Sequence, residues 1–331
     1  MATLGSPLLS LVQQAQTDLG LPLSNYVIRA PDNTSRQMGG LATRVGQKIQ
    51  RSRSWSFLTR EFHVVVPPPV NTTGTLTSGS TTITGVPAPV VSALLPGFMV
   101  VSGGTSGAGA QTPGLMQATR LLTASGTTVT LDQPASASGT AVPIMFRQDS
   151  FSMPSDWLHV TNATGWDATM RWPTRGPQTP QERQWTRRGI VSTGPRRFFS
   201  EIGSGQPPTR TMRIWPPPSG SADSPAELVW EYASNSWAWS AGGNGQPTFF
   251  ADSDTCVFPD HIMVLGLKAA FFSIKGFASD DLQAEFDTEL RNFQAMDAGA
   301  QTLDMSRTNM YPILISPAAV PDASWPGPSS S

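Results

Sequence analysis

The sequence has a single cysteine, Cys256. An internal disulfide framework and a cysteine-based metal cluster are therefore excluded, and the fold is expected to stand on burial alone, consistent with assembly in a reducing cytoplasm. Charge is also scarce: Asp, Glu, Lys and Arg together make up 14% of the chain, against about a quarter in an ordinary globular protein. That argues against many solvated helical faces. No apolar run approaches the ~20 residues of a membrane-spanning helix. The opening Met-Ala-Thr-Leu-Gly-Ser-Pro has no basic n-region, so no secretion leader is expected, and the Asn-x-Ser/Thr triplets at Asn33, Asn71 and Asn162 carry no meaning without one.

What the chain has instead is glycine and proline, 30 of each, a composition of loops, turns and strands. Its 331 residues are enough for two domains with real cores. The net charge of −1 hides an asymmetry: residues 1–213 carry 18 of the 22 Lys and Arg, and residues 214–331 carry 14 of the 23 Asp and Glu. Such a split suits complementary faces on neighbouring subunits, and chance surface charge explains it equally well.

Helical spacing marks both ends of the chain. Over 6–19, Ser6 suits an N-cap and Pro7 the first helical position, with Leu8, Leu11, Val12, Ala15 and Leu19 on one stripe and Gly20 at the end. A second helix is predicted from about Asp32–Thr34 to Trp55, with Met38, Leu41, Ala42, Val45 and Ile49 inward and Arg36, Arg44, Lys48, Arg51 and Arg53 on its other face. Gly39, Gly40 and Gly46 weaken it unless they permit close packing. Near the other end, Asp260–Lys275 reads as a helix with Ile262, Leu265, Ala269 and Phe272 buried. A helix capped by Ser279 follows, with Leu282, Phe286, Leu290, Phe293 and Met296 as its stripe.

Between them the pattern is β. Residues 61–66 read as a strand halted by Pro67–Pro69, and further strands are expected at 196–202, 211–215 and 227–233. Composition shifts abruptly from 67 to 146, where Arg120 and Asp132 are the only charges. Leu76–Thr84 resembles Leu122–Thr130, and each reads as a hairpin. The expected class is α+β: a helical bundle from N- and C-terminal helices plus a β-sheet domain, with an inserted small all-β module. The divisions are 1–66 (N-terminal helices and first strand), 67–146 (inserted module), 147–258 (β-rich part), 259–299 (C-terminal helices) and 300–331, an arm. The arm has prolines at 312, 317, 321, 326 and 328 that forbid a long helix, yet Tyr311, Ile313, Leu314, Ile315 and Trp325 are apolar. A disordered tail would carry fewer of these, so an arm that orders on a partner is preferred.

No catalytic, cofactor or metal constellation can be assembled. His63, His159 and His261 stand apart with no second ligand at helical spacing. Gly103–Gly109 lacks the Gly-Lys-Ser/Thr ending of a phosphate loop. Asp252 and Asp254 begin a calcium-like pattern without its later ligands, and Asp280, Asp281, Glu285, Asp287 and Glu289 read as a solvated or interface face. Arg171–Arg213 holds nine Arg interleaved with Trp172, Trp185, Phe198 and Phe199. With no helix-turn-helix or finger signature, a protein interface rich in Trp and Arg is preferred to nucleic-acid readout. The expectation is a non-enzymatic protein.

Several segments in order resemble the podovirus-type head-to-tail adaptors, also called tail tubular protein A-like. They are Asp32–Trp55 followed by Phe57-Leu58-Thr59-Arg60-Glu61, Ser152-Met153-Pro154-Ser155-Asp156-Trp157, and Arg175-Gly176-Pro177-Gln178-Thr179-Pro180-Gln181-Glu182. Arg213-Ile214-Trp215-Pro216-Pro217-Pro218, Glu231-Tyr232-Ala233-Ser234 and Phe250-Ala251-Asp252-Ser253-Asp254-Thr255, leading into Leu265-Gly266-Leu267-Lys268, complete them. The resemblance runs over about 20–66 and 147–305, and residues 67–146 replace what is a short hairpin in that family. It implies a bacteriophage virion protein of the neck or tail, assembled in the host cytoplasm: a dodecameric ring, or head-tail connector, with no cofactor and no membrane partner. The ring would join the portal protein to a tail tubular protein B-like nozzle, with tail fibres a further candidate partner, and its lumen would pass DNA during ejection. The arm would dock on the portal through Tyr311, Ile313, Leu314, Ile315 and Trp325. A receptor- or carbohydrate-binding tail protein acting through the inserted module is the alternative.

Overall fold

The computed structural model describes residues 5–97, 99–103, 119–161, 164–188, 197–204, 209–218 and 225–297. In chain order its elements begin with α1 (Leu8–Asp18), α2 (Asn33–Ser52), a 3-10 turn at Ser56–Leu58 and β1 (Thr59–Val66). Next come β2 (Val70–Leu76), β3 (Thr82–Thr84), α3 (Ala88–Ser92), β4 (Met99–Gly103), β5 (Leu121–Ser125), β6 (Thr128–Leu131) and β7 (Gly139–Gln148). They are followed by β8 (Ser150–Ser152), β9 (Trp157–Val160), β10 (Trp166–Asp167), β11 (Trp172–Pro173), α4 (Pro180–Arg188), β12 (Phe198–Ser204), β13 (Thr209–Trp215) and β14 (Ala226–Ser234). The short β15 (Ala238–Trp239), β16 (Gly245–Gln246) and β17 (Thr255–Cys256) lead into α5 (Asp260–Lys275) and α6 (Asp280–Asp297). The fold is α+β.

Helices from the two ends share one core. The first amides of a helix have no partner within it, and α1 finds partners far along the chain: Leu8 and Leu9 donate to the carbonyls of Asp254 and Asp252 at 2.8 and 3.1 Å. Ser6 therefore does not cap α1; its amide and hydroxyl donate to the Asp260 carboxylate at the start of α5. Asp32 caps α2 by accepting from the Ser35 amide at 2.7 Å. That helix stops at Ser52, short of the expected Trp55, because Trp55 folds back, is fully buried and donates its indole N–H to the Ile49 carbonyl at 2.9 Å.

Close approach requires glycine at two places. A Cβ on Gly46 of α2 would lie 2.3 Å from the ring of Trp237, and one on Gly266 of α5 would lie 2.7 Å from both Val45 and Phe286. At Gly266, α2, α5 and α6 therefore converge. α5 is buried on most sides, with Met263, Val264, Leu267 and Phe271 enclosed as well as Ile262 and Ala269, because α1, α2 and α6 all pack on it. The one-stripe reading placed Leu265 and Phe272 inside, yet both are only half-buried. On α6 only Phe286 and Leu290 are buried. Met296 is 82% exposed, since the stripe outruns the neighbours that would cover it.

Two antiparallel sheets enclose the second core. One has the order β1-β14-β10-β11 with β9 also on β14, and the other β12-β13-β8. Strand alternation sends Val64 and Val66 of β1 and Ala226, Leu228, Trp230 and Tyr232 of β14 inward, against Phe151, Phe199, Met212 and Ile214. β1 and β14 pair in full register from Thr59↔Ala233 to Val66↔Ala226.

Residues 70–148 form the third unit, a six-stranded sheet in the order β4-β7-β2-β3-β6-β5. Its core is drawn from Leu76–Phe146, including Ile83, Leu94, Val101, Leu131 and Ile144. The two similar sequence runs fold as the β2–β3 and β5–β6 hairpins. The module also carries the one-turn helix α3 behind Pro87, so it is not purely β. Val70 pairs with Phe146, so the chain enters and leaves it side by side.

Candidate functional site

The residues expected to dock on the portal, Tyr311, Ile313, Leu314, Ile315 and Trp325, lie outside the described residues, as does most of the Gly103–Gly109 loop. What the described residues position is the place where the arm begins. α6 ends at Asp297, whose carboxylate accepts from the amide (3.0 Å) and hydroxyl of Ser56. Arg53 adds a hydrogen bond to the Gln294 carbonyl. The last helix is thus tied to the turn that launches β1.

Several groups that sequence reasoning weighed as chemistry are engaged in structure. Asp252 Oδ1 accepts from the Val27 and Ile28 amides at 3.2 and 2.8 Å, and Asp254 Oδ2 from Phe250 and Ala251 at 2.7 and 2.8 Å. These two carboxylates pin the loop that caps α1. Cys256 is fully buried, donates to the Phe258 carbonyl, and burial pushes its pKa up to about 12. His159 lies 3.0 Å from the Ser54 hydroxyl, and His261 is 3.9 Å from Glu289. Among the described residues, no three His, Cys, Asp or Glu side chains gather as a metal site, and no helix is long and apolar enough to cross a membrane.

The basic stretch is partly internal. Arg197 meets the buried Asp167 at 2.6 Å, and Arg210 donates to the carbonyls of Trp157 and Leu158 at 3.2 and 2.6 Å. Those two cations tie together strands and turns around the second core. Trp185 on α4 remains 67% exposed. On the opposite end of the charge split, Lys48 of α2 reaches Asp287 of α6 at 3.6 Å and lies over the Phe286 ring. The basic and acidic helix faces therefore already meet within one chain.

Arg120 and Asp132, the two charges of residues 67–146, sit at the root of the module. Arg120 grips Asp149, just beyond β7, with two hydrogen bonds of 2.8 and 3.0 Å, and also donates to Ser150 and the Gly97 carbonyl. Asp132 accepts from the Arg120 amide at 2.7 Å. Beside this root lies a groove of about 380 Å³, lined by Phe62, His63, Val64 and Val65 of β1, Leu95 of the module, and Gln148, Phe151 and Ser152 where the chain returns. His63 stands between Glu61 and Glu227, at 2.9 and 3.2 Å. Hydrogen bonds to Glu61 first and Glu227 second hold its pKa above the ordinary histidine value. Sequence reasoning missed this groove. Its apolar wall is visible as Val64-Val65-Val66, but the gap depends on which strand ends the sheet, and sheet order is not written in any local pattern.

No protein-family model matches the chain, and no curated protein is significantly similar to it.

Proposed function

We propose that this chain is a non-enzymatic head-to-tail adaptor of a tailed bacteriophage, a ring subunit between portal and tail nozzle with the DNA passage inside. The observation that carries the reading is that helices from both ends of the chain form one body from which the C-terminal arm departs. α1 and α2 pack with α5 and α6 around a single core, and α6 is fastened at Asp297 to Ser56. This is the arrangement the adaptor resemblance calls for: a helical body to build a ring, a β-domain beside it, and an arm to reach a neighbouring ring. The receptor-binding alternative draws little support from the composition of residues 67–146, whose only aromatic residues are Phe98 and Phe146 and whose only charges are Arg120 and Asp132; Phe146 is buried in the module's core.

In this reading the arm binds the portal through Tyr311, Ile313, Leu314, Ile315 and Trp325. Burying three or four such side chains contributes roughly 1.5–3 kcal/mol each before the cost of ordering the arm. Truncation after Gly299 is expected to leave a folded chain that no longer co-sediments with purified portal rings, and Ile313→Asp to weaken binding sharply. Truncated protein that co-sediments at full stoichiometry would sink the arm's role. Imaging that places the chain at fibre tips and away from the neck would sink the adaptor reading itself.

A further inference from the structure

β1 is eight residues long and, among the described residues, pairs only with β14, so its outer edge presents unpaired backbone groups. Such an edge is a template for another strand unless charge, proline or a covering segment guards it. The first half has guards in Glu61 and His63. The second half, Val64-Val65-Val66, has none before Pro67, and there Val65 is 62% exposed. Facing it across the groove are Leu95, 44% exposed, and Phe151 and Ser152 of β8, which pairs only with β13 among the described residues. The groove is therefore an apolar slot beside an open strand edge.

We infer that this slot holds the chain's own C-terminal arm, through Tyr311–Ile315, before any partner takes it. The 34 residues that follow α6 (331 − 297), the arm among them, depart from Asp297, which is hydrogen-bonded to Ser56, three residues before β1 begins. From Ser56 to Val65 is about 30 Å of mostly extended chain, and the 14 residues from Asp297 to Tyr311 reach up to ~46 Å. Within the arm, Tyr311-Pro312-Ile313-Leu314-Ile315 is the densest apolar run. Placed as a strand, it turns Tyr311, Ile313 and Ile315 to one face, a row of apolar anchors for Val65 and Leu95. Pro312, which removes one donor within the run, and Pro317 just beyond it limit pairing to a short stretch, which suits an arm that must later leave. Tethering raises the effective concentration to the order of millimolar, so even weak edge pairing is populated. The inference rests on the proposed portal docking only for what releases the arm; its occupancy of the slot stands without it.

Amide hydrogen exchange on the purified full chain tests it with no portal present. Residues 62–66 are expected to exchange at least tenfold more slowly in the full chain than after truncation at Gly299. Ile313→Asp in the arm and Leu95→Asp in the slot are each expected to give the truncated pattern, with exchange in β2, β6 and β7 unchanged as the control for folding. A synthetic peptide of residues 308–318, added at millimolar concentration to the truncated chain, is expected to restore protection. Equal exchange in the full and truncated chains overturns the inference. So does protection that fades on dilution, because the slot would then be filled by a neighbouring copy. Slot protection together with portal binding by the truncated chain would overturn only the portal role, and the reverse pair of results only this one.

Discussion

At the scale of single residues, two glycines of one helix are expected to respond with opposite signs. A Cβ on Gly40 meets nothing within 4 Å, so Gly40→Ala should stabilise the chain by about 0.5–1 kcal/mol through helix propensity alone. Gly46→Ala gains the same propensity but drives its methyl into Trp237, and overpacking of this kind costs roughly 1–3 kcal/mol, so the net effect should be destabilising. Urea midpoints of the two variants check this, and equal midpoints would mean that Trp237 yields freely. Cys256 is expected to resist thiol reagents at pH 8 until the chain is unfolded. Its folded pKa of about 12 lies above the ordinary 9.0, so the neutral thiol's contribution is complete below pH 9 and is lost as pH rises from there toward 12. Cys256→Ala should cost on the order of 1 kcal/mol and remove that alkaline sensitivity; unchanged sensitivity would assign it to another group.

At the scale of elements, the module at 70–148 has its own core and paired ends, so replacing 67–146 by a short Gly-containing turn should spare the helices. The excision also removes Arg120 and strands Asp149, and an orphaned partner of a buried ion pair costs about 3–5 kcal/mol. Deletion combined with Asp149→Ser is therefore expected to be markedly more stable than deletion alone, with the helical circular dichroism signal kept in both. If both yield only aggregate, the module belongs to the main core. The helices were legible in the sequence because a 3.6-residue stripe with capping residues is a local signal, as Asp32 and the Met38–Ile49 stripe of α2 show. What local signal misjudged was how many neighbours each helix has: α5 is enclosed on more sides than one stripe implies, and α6 on fewer. The strands near 59–66, 198–204, 209–215 and 226–234 were legible within a few residues. The open edge of β1 and the slot beside it were not, because they arise from pairing across more than 150 positions, as in Val66↔Ala226.

At the scale of the whole molecule, the helical core joins the beginning of the chain to its end. α1 is capped by carbonyls from Asp252 and Asp254, and its stripe packs on α5. Such long-range contacts form late and slowly. The 70–148 sheet depends on nothing outside itself for its core, and the sandwich needs the chain only as far as β14. Chains cut short at residue 258 are therefore expected to show exchange protection in the 70–148 sheet while α1 and α2 remain protease-sensitive, and extension through residue 297 should protect them. Protected helices in the shorter chain would contradict this order. For a protein made on a ribosome the order becomes a timetable. At roughly 5–20 residues per second, α1 and α2 emerge about 10–50 s before α6 can meet them. During that interval Leu11, Met38 and Ile49 lack the α5 and α6 side chains that complete their core, and the nascent chain exposes the kind of apolar surface that a chaperone recognises.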